Sequence, residues 1–113
     1  MRVSKIAKSP PYAVEKALTT LGSNIRTSRL RRKLSHTQLA EKIGISRYTM
    51  ADIEAGKPTT AIAAYLGALW ALGLLDGFDQ IAHPDKDIEG KTLEASRSPS
   101  TAPKRSKELD DDF

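Results

Sequence analysis

The 113-residue chain has no cysteine and only two histidines, His36 and His83, and its apolar residues never run long enough to span a bilayer. Without cysteine there are no disulfides, no thiol nucleophile and no structural zinc of the Cys/His type. With the two histidines far apart, no glycine-rich phosphate loop and no Gly-x-Ser-x-Gly elbow, no catalytic constellation is recognisable. The chain is therefore not expected to be an enzyme, and neither a metal nor a cofactor is expected. Asp85, Asp87 and Glu89 cluster but lack the glycine and the terminal glutamate of a calcium loop, and read as a solvated helix start. Residues 59–82 are the most apolar stretch, yet Asp76 and Asp79 interrupt it and Gly67, Gly73 and Gly77 punctuate it before about 20 apolar residues accumulate, so no membrane partner is expected. The opening MRVSKIAKSP carries Arg2, Lys5 and Lys8 without a long apolar core, which does not read as a secretory signal; a cytoplasmic protein is expected.

What is present is concentrated in residues 34–57, LSHTQLAEKIGISRYTMADIEAGK. Ser35 and Gln38 have the spacing of a capping box, which predicts that a helix starts there. Leu39, Ala40 and Ile43 give that helix one buried face, Gly44 ends it in a left-handed turn and Ile45 plugs the turn. Ser46 then caps a second helix with Met50 and Ile53 pointing inward, closed by Gly56 and Pro58. Arg47, Tyr48, Ala51 and Asp52 are left outward, with Thr49 at the rim. Arg47 suits the paired acceptors of guanine, Asp52 accepts from a cytosine amine, the Thr49 methyl meets a thymine methyl, and Tyr48 serves either a base or a phosphate. Periodicity alone fits a solvated face of an ordinary α-domain equally well.

Charge separates these readings. Residues 1–58 hold twelve Lys and Arg against four acidic residues, a balance of +8, whereas residues 59–113 hold six against ten, a balance of −4. The positive field falls on the candidate reading helix, as expected for a nucleic-acid binder. Arg31, Arg32 and Lys33, just ahead of the motif, are best placed to touch phosphates, with Lys57 at its far end.

On these residues, the segment from about Leu21 to Leu75 resembles the Xre/Cro-like family of bacterial and phage helix-turn-helix regulators. The resemblance rests on Leu34, on LAEKIGIS at residues 39–46 and on IEAGK at residues 53–57. It implies an all-α, compact four- to five-helix lambda-repressor-like bundle that binds palindromic operator DNA as a symmetric dimer. By position it places base reading on Ser46, Arg47, Tyr48 and Asp52, and a helix-start phosphate contact on His36, where the family usually has Gln. A neutral imidazole can donate to a phosphate and a protonated one binds more strongly, so the contact is retained with a pH dependence. The resemblance also implies an internal ion pair between Arg29 and Glu54, which makes Arg29 a strut rather than a phosphate ligand.

A chain of this length supports one small domain with tails, near the size where core burial is barely sufficient. Thr59 or Thr60 is expected to cap a helix with two apolar stripes, Ile62, Leu66, Leu69 and Gly73 on one side and Ala61, Tyr65, Ala68 and Leu72 on the other. So small a domain cannot enclose both faces, and a homodimer interface is expected at Tyr65, Leu69, Trp70, Leu74, Leu75 and Phe78. The organisation that follows is a basic arm at residues 1–10, a DNA-binding and dimerisation domain at 11–82, a short helix or linker at 83–95 and a disordered tail at 96–113. The arm either reaches a minor groove or is unstructured, and the first long helix either runs through Gly22 or breaks there. Leu109 and Phe113, within the acidic ending ELDDDF, form a candidate docking motif. The stretch AYLGALWALGLLDGFDQIAHPDKD is similar to the C-terminal part of HipB-like antitoxins, which implies a HipA-type Ser/Thr kinase toxin as a further partner, nucleoid association and repression of the protein's own operon. A stand-alone regulator and a purely protein-binding helical module remain as alternatives.

Overall fold

In the computed structural model, which describes residues 3–97, helices begin and end largely where the capping residues of the sequence stand. The described residues form six α-helices and two 3-10 turns, with no strand among them. The helices are α1 (Lys5–Lys8), α2 (Tyr12–Arg31), α3 (His36–Ile43), α4 (Arg47–Ala55), α5 (Ile62–Leu72) and α6 (Ile88–Arg97). The chain divides into two compact units, Met1–Asp76 and Gly77–Phe113, so the expected boundary at residue 82 lies inside the second unit.

In the first unit α2 is continuous through Gly22 and starts on Pro11. Ser35 and Gln38 close a reciprocal capping box on α3, and Gly44 ends that helix at φ 74°. The core gathers Ile25 from α2, Leu39 and Ala40 from α3, Met50 and Ile53 from α4, and Tyr65, Ala68 and Leu72 from α5. Ile25, Leu39, Met50 and Ile53 are fully buried. Each such side chain contributes roughly 1.5–3 kcal/mol of transfer free energy.

Two glycines set how α4 lies on α2. A Cβ at Gly22 would fall 2.5 Å from the Ile53 carbonyl oxygen, and one at Gly56 would fall 2.6 Å from the Leu18 carbonyl oxygen. The two helices therefore meet backbone to backbone, an approach that any larger residue would block.

The structure departs from the sequence reading in several places. Neither Thr59 nor Thr60 caps α5; its N-cap is Ala61, with no side-chain hydrogen bond, because the chain is still turning at Lys57–Thr60. The start of the chain is not wholly irregular, since Ser4 caps the single turn α1. In the second unit, the Asp87 carboxylate accepts from the Gly90 amide at 2.9 Å, so α6 starts at Ile88 rather than Asp85. It runs to Arg97, which places Ser96 and Arg97 in a helix rather than in the tail. None of the second unit's helical elements contains a buried residue. Residues 98–113, including Leu109 and Phe113, lie outside the described residues, as do Met1 and Arg2. No helix among the described residues is long and apolar enough to cross a membrane.

Candidate nucleic-acid interface

The helix that carries the candidate base readers is locked from its first turn. Ser46 Oγ accepts the Thr49 amide at 3.1 Å and lies 3.2 Å from Thr49 Oγ1, which orients both hydroxyls along the helix start. With Met50 and Ile53 buried behind, Arg47 and Tyr48 stand outward. Arg47 Nη2 donates to the Tyr48 hydroxyl at 3.1 Å, and the guanidinium carbon lies 5.0 Å from the ring centroid. That stacked pair holds a planar, always-charged donor in solvent without burying it. One turn on, the Asp52 carboxylate lies 3.7 Å from Lys57 Nζ, an exposed pair of small energetic weight that leaves both groups open to a ligand.

Behind α4 lies a buried charge. The Glu54 side chain is 5% exposed and receives Arg29 through two nitrogens, Nε to Oε2 at 2.6 Å and Nη2 to Oε1 at 3.0 Å. Arg29 Nη1 also donates to the Leu34 carbonyl at 2.8 Å, tying the end of α2 to the turn before α3. His36 Nε2 completes the set, 2.9 Å from Glu54 Oε1. Burial by itself would raise the Glu54 pKa, but the hydrogen bonds and positive charge of Arg29, with those of His36, outweigh it and hold the carboxyl below its ordinary value. This changes the expected role of His36. The ionised Glu54 has no proton to give, so the proton between them sits on Nε2, and a neutral His36 ring has no second N–H with which to reach a phosphate.

The cations expected at phosphates differ in their local contacts. Arg31, Arg32, Lys33 and Lys57 are exposed. Arg32 Nη1 donates to the Ser28 carbonyl at 2.9 Å, and Lys33 turns the chain out of α2 with φ 57°.

Of the six residues expected at a dimer interface, Tyr65 belongs elsewhere. It is 3% exposed and its hydroxyl donates to the Lys57 carbonyl at 2.8 Å, which makes it a core residue pinning the loop after α4. Leu69 is half-buried against the core, and Leu75 and Phe78 are half-buried, Phe78 in a 3-10 turn of the second unit. Trp70 and Leu74 are on the outside, 65% and 43% exposed. The sequence reading missed the bond from His36 to Glu54 and the contacts of Gly22 and Gly56. A signal for the first was present, since Glu54 follows Ile53 on the inward stripe and a buried carboxylate requires partners.

Residues 20–77, just over half of the chain, match the sequence profile of a family described as a helix-turn-helix domain. No curated protein and no solved structure shows a significant match.

Proposed function

The chain belongs to the helix-turn-helix domain family and is a DNA-binding regulator, and we propose that it acts as a sequence-specific repressor that reads an operator in the major groove through α4 and binds it as a homodimer. The observation that carries this reading is the stacked Arg47–Tyr48 pair, presented outward from a helix whose opposite side is held by the core and by Arg29. Arg47 and Asp52, with Ser46, Tyr48 and Thr49, supply donors, acceptors and a methyl group suited to base edges, and Arg31, Arg32, Lys33 and Lys57 supply charge for phosphates. The exposed Trp70 and Leu74 support a second copy seated against α5. Two copies would present two reading helices to half-sites about one helical turn apart.

Binding to the DNA upstream of the protein's own coding sequence tests this directly. Affinity for that duplex is expected to exceed affinity for random duplex and to fall steeply with salt. Equal affinity for both would sink the repressor reading. Sizing of the purified chain tests the second copy, and a monomer at high micromolar concentration would count against it.

The finer role is that of an antitoxin that represses its own operon and binds a HipA-type Ser/Thr kinase. It is supported by the similarity of AYLGALWALGLLDGFDQIAHPDKD to HipB-like antitoxins. Purification from the native host, with a kinase identified by mass in the complex, is the expected result; its absence favours a stand-alone regulator.

A further inference from the structure

We propose that Tyr48 is a positioning residue for Arg47: its ring and hydroxyl hold the guanidinium in place before DNA arrives, so that selection of one guanine by Arg47 depends on Tyr48. The inference rests on the major-groove reading above and deepens it by giving the two residues different tasks. Neighbouring residues of a helix point about 100° apart and do not face each other. The Arg47 guanidinium nevertheless reaches the Tyr48 side chain, with Nη2 3.1 Å from the hydroxyl and the guanidinium carbon 5.0 Å from the ring centroid. The contact therefore exists because the arginine lies along the helix surface toward the ring. Both residues stand on a fixed base. They open α4, whose first turn is set by the bond from the Thr49 amide to Ser46 Oγ, and Met50 behind them is fully buried.

A guanidinium is a fork of N–H donors, and bidentate recognition of guanine O6 and N7 uses two of them side by side. Nη2 directs one of its hydrogens at Tyr48, so its other hydrogen, Nη1 and Nε stay available for the base. Tyr48 thus restrains Arg47 without using up its fork. No carboxylate draws the arginine elsewhere: among the described residues Arg47 enters no ion pair, and Asp52, the acid one turn on, lies 3.7 Å from Lys57 Nζ instead. An exposed arginine otherwise samples many rotamers, and fixing them on binding lowers affinity. A restraint already present in the free protein removes part of that cost. It also narrows the directions from which the guanidinium can approach, which favours the one base pair aligned with it over all others.

The test is a double-mutant cycle of wild type, Tyr48→Phe, Arg47→Ala and the double variant. Each protein binds a duplex from upstream of its own coding sequence, copies in which each guanine·cytosine pair is exchanged in turn for adenine·thymine, and a random duplex. Phenylalanine keeps the ring and removes only the hydroxyl. Arg47→Ala is expected to abolish the preference at one guanine·cytosine pair, a loss of roughly 5- to 150-fold. Tyr48→Phe is expected to lower the preference at that same pair, and at no other, by about threefold. In the Arg47→Ala background it is expected to change nothing. Nitrogen relaxation of the Arg47 Nε–H group in the free protein adds a readout that needs no DNA, with greater order expected in wild type than in Tyr48→Phe. Equal order in the two overturns the proposal. So does a Tyr48→Phe effect on DNA that is absent, persists without Arg47, falls on a different base pair or is spread evenly over all duplexes, and so does an Arg47→Ala protein that keeps every base preference. All of these outcomes leave the DNA-binding reading intact. Wild type that does not prefer the upstream duplex to the random one overturns that reading itself, and the proposal with it.

Discussion

Along the inner side of α4, Met50 and Ile53 are fully buried and Glu54 is gripped by Arg29 and His36. Along the outer side of the same nine-residue helix, Tyr48 is 69% exposed and Arg47 is bonded to it. The comparison shows how a short helix can be fixed on one face and left free on the other, as the proposed reading requires. A side chain that must select among base edges needs a rigid base and a free tip, and α4 separates these on opposite faces. The buried side is expensive to disturb and says nothing about sequence; the exposed side is cheap to change and, on the proposed reading, carries the selection.

The largest expected effect comes from breaking the inner side. Glu54→Ala removes the partner of Arg29, whose side chain is 8% exposed, and is expected to cost about 3–5 kcal/mol in urea unfolding. A loss below about 1 kcal/mol would show that the buried pair does not anchor α4. Acid probes the same contact without mutation. Because the Glu54 pKa is lowered in the folded state, its contribution is fully present above its ordinary value of 4.5 and is lost as pH falls through the lower folded value. Stability of wild type is therefore expected to decline below about pH 4.5 more steeply than that of Glu54→Gln.

Next in size is Gly22→Ala, which sets a methyl group against the Ile53 carbonyl and is expected to cost about 1–3 kcal/mol by forcing α2 and α4 apart. Gly44→Ala separates crowding from backbone strain, since nothing lies within 4 Å of its Cβ position although φ is 74°. It is expected to cost roughly 1–2 kcal/mol. Equal behaviour of the two variants toward DNA would argue that the close approach at Gly22 does not set the angle of the reading helix.

On the outer side, Arg47→Ala is expected to leave folding stability within about 0.5 kcal/mol while discrimination at one base pair falls by about 1–3 kcal/mol. A loss of stability comparable to that of Glu54→Ala would erase the distinction between the faces. The smallest effect is expected for Arg31→Ala, which should weaken binding to all duplexes alike and lower the salt slope by about 0.9 for each phosphate that the arginine had neutralised.

How much of this was legible depended on distance along the chain. The Ser35–Gln38 box, the Ser46 cap and the left-handed Gly44 are interactions between residues three or four apart, so the sequence displays both partners at once. The pairing of Arg29 with Glu54 spans 25 positions and was expected from family resemblance rather than from any pattern in the residues. The bond from His36 to Glu54 spans 18 and was not foreseen, and it reverses what the neutral histidine is able to donate. The apolar stretch of residues 59–82 offers two stripes to its helix; only the packing of α5 made Tyr65, Ala68 and Leu72 the buried set and left Ile62, of the other stripe, exposed.

The sequence by itself determined where the helices of residues 35–56 start and stop, and that positive charge gathers in the first half of the chain, because capping, turn geometry and charge count act locally or additively. The tertiary structure decided which side chains share the Glu54 carboxylate, how closely α2 and α4 meet at Gly22 and Gly56, and which face of α5 is enclosed. Those outcomes require segments distant in the chain to close on one another, and the cost of burying a charge or a carbonyl is settled only by what arrives beside it.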